Sequence, residues 1–460
     1  MIPRRVIKLS VSIVFLLIAA RPAQSQTSFT VIPSEAGTFE AVSASDLGAV
    51  IGGRLNGGGA LWSATGGFEV IGGSYFRGLS GDGNSACVST NCLWVRNQGC
   101  VPGIYATDCW GISRNGKVVF GYKDYDSSGC STSTVRFSRD TGVTSELCAG
   151  RCTYPAGCSD DGSIVVGKTG DCSGAWQAYK WTVGGGQTFI CRGWASDVDG
   201  TGKVVVGRCN EVSPPRAFRH EAFQYGGSRL VYLEPLPGYE YSEASRVTSD
   251  GTLVLGYSLS SAGFRSTLWV NGQVIDFFAS LAQRGVNLAG WSNLEARGVS
   301  RDGKAIVGTG TFEGSMRSWV VTGYEPTISG VIPASGPAVG GTVVTISGFN
   351  FPQNPAVIFG TVPATSVNFV SPNKLVVTTP ENLPGNCAIT VDWITTTDAF
   401  YYRPECGSDL DQDGEVTAAD IAIVLLDFGP CYSNAANTQP DDSTPFLLQE
   451  QPAAAQPQQR

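Results

Sequence analysis

The apolar residues of this chain fall in short runs separated by glycine-rich turns, not at helical spacing. Between residues 39 and 322 one pattern keeps returning: Gly/Ala-Val/Leu/Ile-Ser-x-Asp/Asn-Gly-x-Val-Val-Val-Gly. Clear copies are Gly111-Ile-Ser-Arg-Asn-Gly-Lys-Val-Val-Phe-Gly121, Gly157-Cys-Ser-Asp-Asp-Gly-Ser-Ile-Val-Val-Gly167, Arg246-Val-Thr-Ser-Asp-Gly-Thr-Leu-Val-Leu-Gly256 and Gly298-Val-Ser-Arg-Asp-Gly-Lys-Ala-Ile-Val-Gly308. Degenerate copies run from Ser43 to Gly52, Gly78 to Val88 and Asp197 to Gly207. Asp/Asn-Gly supplies the positive-φ positions of a tight turn, and the apolar flanks make the two strands of a hairpin. A second pair of strand-like segments follows, anchored by an aromatic residue, as in Ala60-Leu-Trp62, Cys92-Leu-Trp94, Ala178-Tyr-Lys-Trp181, Thr267-Leu-Trp269 and Arg317-Ser-Trp319. Four strands per unit at a spacing of about 33 to 52 residues describe a β-propeller blade. Seven copies predict about seven blades, and the weak first two leave six or eight open.

Composition agrees with this all-β reading. The chain has 460 residues with 59 glycines, and only 15% of its residues are charged. That length accommodates two or three domains. The expected boundaries are a signal peptide over 1–25, the propeller over 26–323, an Ig-like sandwich over 324–403, a small calcium loop–helix module over 404–432 and a disordered tail over 433–460, rich in Gln, Pro and Ala.

The N-terminus predicts export. Arg4, Arg5 and Lys8 precede the apolar run Leu9 to Ala20, and Ala23-Gln24-Ser25 is a small-x-small cleavage site. No later segment is apolar over about 18 residues, so no membrane span is expected after cleavage, and the protein is expected outside the cell or on its surface. Fourteen cysteines in an exported chain predict disulfides. Eleven lie between Cys87 and Cys209, so one of them either pairs outside that block, with Cys387 available, or stays free. The net charge of −8, without a Lys/Arg cluster beyond the signal, argues against nucleic acid. It fits cations, neutral glycans or protein partners better.

The repeats resemble the HAF-type extracellular repeats of bacteria, which share the Gly-(Ile/Leu)-Ser-x-Asp-Gly…Val-Gly core. That resemblance implies location and a propeller-like fold without a defined activity. Farther on, Ile332-Pro-Ala-Ser-Gly-Pro337 leads into Gly340-Gly-Thr-Val-Val-Thr-Ile-Ser-Gly348, Phe351 and Val357-Ile-Phe-Gly360. Thr379-Pro380, Ala388-Ile-Thr-Val391 and Phe400-x-Tyr402 complete a pattern that resembles an IPT/TIG immunoglobulin-like domain nearly end to end. Such domains act as spacers in extracellular proteins or flank carbohydrate-active modules.

Asp409-Leu-Asp411-Gln-Asp413-Gly414-Glu415-Val416-Thr417-Ala-Ala-Asp420 carries the ligand spacing of an EF-hand loop. Asp409, Asp411, Asp413 and Asp420 offer carboxylates, Glu415 its backbone carbonyl, and Thr417 a direct or water-borne ligand, so calcium is the expected cofactor. The apolar spacing of Ala419 to Phe428 predicts an exiting helix ended by Gly429-Pro430, while Pro404 and Gly407 forbid an entering one. A loop followed by one helix resembles half of a dockerin type I repeat. Cohesin-binding dockerins carry two copies and this chain one, which argues against a cohesin-like partner and leaves calcium binding intact. Cys406 and Cys431 bracket the module and are expected to pair. Closing that loop contributes on the order of 3 kcal/mol in the chain-entropy model.

Nothing in the sequence names a reaction. His220 is the only histidine, which disfavours a His-based triad or multi-His metal centre. Asp82, Asp161, Asp250 and Asp302 recur at repeat spacing inside turn dipeptides, which favours a structural role over paired catalytic carboxylates. The expected function is therefore non-catalytic binding of an extracellular glycan or surface protein through the propeller, with Trp110, Trp194 and Tyr239 as candidates to stack on sugars. The competing reading is a polysaccharide-degrading hydrolase or lyase using a carboxylate pair in the propeller channel.

Overall fold

The computed structural model describes residues 27–404, without 35, 74, 89–91, 102–107, 125–131, 148–151, 172–173, 224–225, 271–272 and 393, and beyond them only Ala418 and Ala422. The chain divides into two units, 1–404 and 405–460. The calcium ligands Asp409 to Asp420, the Cys406 and Cys431 pair and the signal segment all lie outside the described residues.

Residues 28–322 form antiparallel four-strand units whose first strands are Phe39–Ala44, Phe76–Leu79, Asp108–Ile112, Cys152–Cys158, the second half of Gly186–Val198, Tyr241–Val247 and Trp291–Val299. The 13-residue strand Gly186–Val198 closes the fourth unit with its first half and opens the fifth with its second. The last unit borrows its outer strand from the start of the chain, because Ser28–Val31 pairs with Ser315–Thr322. This strand exchange joins the two ends of the repeat array within one sheet.

The repeated sequence explains each unit. The Ser or Thr hydroxyl bonds the Asp or Asn two residues on, at 2.6 Å for Ser80 and Asp82, 2.6 Å for Ser159 and Asp161 and 2.7 Å for Ser113 and Asn115. The same carboxylate or amide oxygen accepts the backbone N–H two residues later, as from Ser163 at 2.9 Å. The hydroxyl accepts the N–H that starts the next strand, as from Ile164 at 3.1 Å. The turn is thus held by its own side chains. In the fifth unit the order is swapped, and Asp199 takes the serine's place with Thr201 donating to it at 2.8 Å.

The closing glycine of the motif has a different purpose. Every first strand carries a β-bulge, and in six of the seven units the residue before the bulge faces that glycine; in the second unit Phe76 faces Val88 instead. A Cβ on Gly167, Gly207, Gly256 or Gly308 would stand 2.0 to 2.1 Å from a carbonyl oxygen of the first strand. In these four units the absence of a Cβ lets the bulged strand approach so closely.

Trp62, Trp94 and Trp269 are buried between units. Trp319 is also fully buried but in another register: it stands opposite Gly308, and Val321 takes the place the other tryptophans hold. It packs with Phe29, Phe277 and Phe278 beside the short helix Phe277–Gln283.

Residues 327–403 form a two-sheet sandwich. One sheet orders Thr327–Ile332, Val343–Phe349, Lys374–Thr378 and Ser366–Ser371, and the other contains Ile394–Arg403, Gly385–Val391 and Val357–Phe359. The strict alternation of Val343–Phe349 sends Val344 and Ile346 into a core with Phe351, Phe359, Phe400 and Tyr402. Cys387 is buried in that core without a disulfide, so it is not the partner of the odd propeller cysteine. Asn350 fastens the sandwich to the propeller. Its amide donates to Gly323 and Glu325 carbonyls and its oxygen accepts from Thr27, at 2.5, 3.1 and 2.8 Å.

Among the described residues, Cys87 and Cys109, Cys92 and Cys100, and Cys191 and Cys209 form disulfides, which suit an oxidising, extracellular environment. Cys158 is a buried thiol, and burial pushes its pKa up to about 12. No helix of the described residues is long and apolar enough to cross a membrane.

Candidate functional site: the propeller axis

The first strands meet around the axis, and their turns form one end of it. Backbone N–H groups of these turns hydrogen-bond from each unit to the next. The chain of bonds runs Asp46 N–H to Gly81, Gly81 N–H to Arg114, Asn115 N–H to Asp160, Asp160 N–H to Gly200, Gly200 N–H to Ser249 and Ser249 N–H to Arg301. Leu47 N–H then reaches Asp302 of the last unit at 2.8 Å and completes the circle.

Charged side chains fill the middle of that ring. Arg301 donates to Asp160 at 2.9 Å, to the carbonyls of Val198 and Val247 at 2.9 and 3.0 Å, and pairs with Asp197 at 3.4 Å. Arg114 bridges Asp46 at 2.8 Å and Asp160 at 3.3 Å. The neighbours of these residues are glycines for want of space. A Cβ on Gly81 would meet Arg114 and Asp46 at 2.7 and 2.8 Å, and one on Gly200 would meet Asp160 at 2.5 Å. Burial pushes the Asp197 carboxyl up, while Arg301 and Arg246 pull it down without cancelling the rise. This end is a plug held by the ion pairs of Arg114 and Arg301 with Asp46, Asp160 and Asp197.

The other end is an open funnel of about 600 Å³. The bulge decides what lines it. Each first strand contributes its one extra residue: Val42, Arg77 and Trp110 from the first three units, Ala156 and Ser196 from the next two, Ser245 and Arg297 from the last two. A bulge turns a side chain out of the ladder, and here seven bulges turn seven side chains toward one cavity.

One step nearer the mouth, cross-strand pairs form the rim. Glu40 faces Arg54 in the first unit and pairs with it at 2.7 Å. In the fourth and fifth units the inner residue is aromatic instead, and Tyr154 faces Lys168 while Trp194 faces Arg208. The Arg208 guanidinium lies 3.4 Å from the Trp194 ring centroid, and Arg77 lies 4.1 Å from that of Trp110. Trp110, Tyr122, Tyr154 and Trp176 follow one another edge to face at 5.5 to 5.8 Å between centroids. Of these four rings, Trp110 and Tyr154 line the funnel, and Tyr122 and Trp176 pack against them.

The two lining carboxylates, Glu243 and Glu295, are held in place. Glu243 accepts from Tyr241, from Tyr257 at 2.9 Å and from Trp194 Nε1 at 3.2 Å, and pairs with Arg208 at 3.5 Å. Glu295 pairs with Arg297 at 3.0 Å. Burial first, then the bond with Tyr241 and the charge of Glu243, push the Tyr257 phenol far above its usual range.

The sequence candidates separate accordingly. Trp110 and Trp194 line the funnel from the strands Asp108–Ile112 and Gly186–Val198, while Tyr239 sits half-buried in a turn and is not among the lining residues. Asp82, Asp161, Asp250 and Asp302 are the turn carboxylates described above. His220 stands opposite Val205, where other units have tryptophan, and burial and then Lys180 lower its pKa. Sequence reasoning missed Tyr154, Lys168 and Arg246, whose signal was their departure from the repeat at inner-strand positions. Among the described residues there is no group of three or more potential metal-ligating side chains.

Residues 326–402 match the IPT/TIG domain family. No curated protein is detectably similar to the chain in sequence. Solved structures similar to it include the β-propeller domain of the trilobed protease from Pyrococcus furiosus, at 9% identity and TM-score 0.37, covering 79% of this chain and 97% of that one. A putative TolB from Agrobacterium tumefaciens matches at 14% identity and TM-score 0.36, over 54% of this chain and 87% of that one. The Pyrococcus horikoshii acylaminoacyl peptidase matches at 10% identity and TM-score 0.44, over 71% and 61%. The propeller assignment rests on the strand pairing itself.

Proposed function

We propose that this is a secreted, non-catalytic binding protein whose propeller funnel takes an extracellular glycan. The observation that carries the reading is the funnel itself. Side chains from every unit converge on one open cavity, and its wall combines the rings of Trp110, Tyr154 and Trp194 with hydrogen-bonding charged groups. Sugars present exactly such alternating needs, apolar C–H faces beside hydroxyl edges. The IPT/TIG domain serves as a rigid spacer beyond it, and the Asp409 to Asp420 loop binds calcium to order the C-terminal module.

The hydrolase or lyase reading needs a carboxylate free to change its protonation or attack carbon. Glu243 and Glu295 are each tied to arginine, and Glu243 to three further donors. Such carboxylates serve as anchors more readily than as acids or nucleophiles. The test is calorimetry and array binding of the full chain against plant and algal oligosaccharides, with release of reducing ends followed in parallel. Binding without turnover is the expected result. Turnover abolished by Glu243→Gln or Glu295→Gln would replace this reading with the enzymatic one. For the calcium loop, the full chain should take up one calcium ion and Asp413→Asn should abolish it.

A further inference from the structure

The funnel has a charge character that the whole chain does not share. The protein carries a net charge of −8, yet its funnel is lined by five cationic side chains and two carboxylates. Both carboxylates are engaged, as are Arg54 with Glu40, Arg77 with Asp108 and Arg297 with Glu295. Two cations make no ion pair among the described residues. Lys168 makes no ion pair among the described residues; its ammonium rests 4.4 Å from the Trp176 centroid and 5.3 Å from that of Tyr154. Arg246 donates to the Ser245 carbonyl at 2.8 Å and makes no ion pair among the described residues, although its charge is felt by Asp197 on the plug side.

The comparison among units explains how this came about. Where the first unit sets Glu40 opposite Arg54, the fourth sets Tyr154 opposite Lys168. Arg208, in the fifth unit, recovers a carboxylate from Glu243 next door, and Lys168 does not. An aromatic has replaced an acid, leaving a cation beside a ring.

We propose that the funnel selects an acidic saccharide, one bearing carboxylate or sulfate groups, with Lys168 and Arg246 receiving the anionic substituents and the Tyr154 ring receiving a sugar face. This inference rests on the glycan reading above and narrows it. The cations sit on separate units around the funnel instead of converging on one point, which suits charges spaced along an oligomer more than a single phosphate. Burial holds the Lys168 ammonium below the ordinary lysine pKa, and an adjacent anion would reverse that shift.

The test uses the full chain with oligogalacturonate, its fully methyl-esterified counterpart, a sulfated oligosaccharide with its desulfated form, and an oligoglutamate peptide. The expected result is that an acidic oligosaccharide binds at least about tenfold tighter than its neutral partner, with affinity falling as salt rises. The carboxylated and sulfated arms tell which substituent is preferred. Lys168→Gln and Arg246→Gln should each remove about tenfold from the acidic ligand and leave the neutral one unchanged. In chain labelled by reductive methylation, the Lys168 resonance should move on ligand addition, a readout independent of variant folding. Equal binding of acidic and neutral oligosaccharides would overturn this inference and spare the glycan reading. Binding of oligoglutamate alone, or of no probe, would overturn both.

Discussion

At the turn end of the propeller, five units commit Ser or Thr, Asp or Asn and Gly to nearly the same bonds, the fifth swaps the order through Asp199 and Thr201, and the first has Leu47 in the Asp position. At the funnel end no such rule holds. The bulged position is Val42 in one unit, Arg77 or Trp110 in the next two and Ser196 in another, though the backbone bulge itself is constant. One end repeats its chemistry and the other repeats only its geometry. Constant backbone with variable side chains is how a scaffold presents a site, so the two ends should respond differently to mutation.

The largest effect is expected where geometry and repeat coincide. Gly256 faces the Glu243 carbonyl, and an added Cβ would lie 2.0 Å from that oxygen. Gly256→Val therefore cannot be accommodated without moving the bulged strand, and a loss above about 4 kcal/mol is expected. Thermal melts should show a chain that is unfolded or insoluble. A near-native melt would mean that the bulge does not depend on that glycine.

Next comes the plug. Arg301→Ala removes the cation that four units share and leaves Asp160 and Asp197 facing each other's charge. Breaking such a buried pair costs about 3–5 kcal/mol. The effect has a pH signature. Asp197 has a folded pKa above its ordinary 3.8, so its contribution favours folding at low pH and is lost as pH rises through the folded value. Without Arg301 that value rises further, and the variant's deficit should shrink on acidification from pH 7 to pH 5. A deficit independent of pH would locate the damage in lost hydrogen bonds and not in charge.

The funnel should invert the pattern. Trp194 touches Arg208, Glu243 and the cavity but belongs to no buried core cluster of the fold. Trp194→Ala is expected to cost at least about tenfold in oligosaccharide affinity while the melt shifts little by comparison, since half-buried aromatic contacts contribute about 0.5–1.5 kcal/mol. A large stability loss with binding intact would make the rim part of the scaffold and erase the contrast between the ends.

How far the sequence could have reached differs for the same two regions. Asp161-Gly162 and Ile164-Val-Val-Gly167 announced a turn and a strand because local φ preference and apolar alternation act within a few residues. The sandwich was readable through Val343–Phe349 for the same reason. The bulge was not, since it depends on pairing with a second strand and leaves a pattern one residue out of phase. Trp319 shows the cost: its Arg-Ser-Trp context matched the other anchors, yet it entered the core two residues out of register. Lys168 and Arg246 lie 78 positions apart in the chain and meet one cavity only because the array closes on itself.

The smallest effect is the most discriminating for the turn end. Asp161 accepts from Ser159 at 2.6 Å and Ser163 N–H at 2.9 Å, and Asn115 makes the same two bonds at 2.7 and 3.0 Å in its own unit. Asp161→Asn should therefore keep the turn, within about 0.5 kcal/mol at pH 7, while Asp161→Ala loses both bonds and about 1 kcal/mol. Acid separates the carboxylate from the amide. Burial alone would raise the Asp161 pKa, but the Ser159 hydroxyl and Ser163 N–H outweigh it and hold it below 3.8. A lowered folded pKa contributes stability above the ordinary value that disappears as pH falls through the folded one. Denaturant unfolding should then show wild type losing stability relative to Asp161→Asn below about pH 4, and parallel curves would mean that the charge of the turn carboxylate contributes nothing beyond its oxygen atoms.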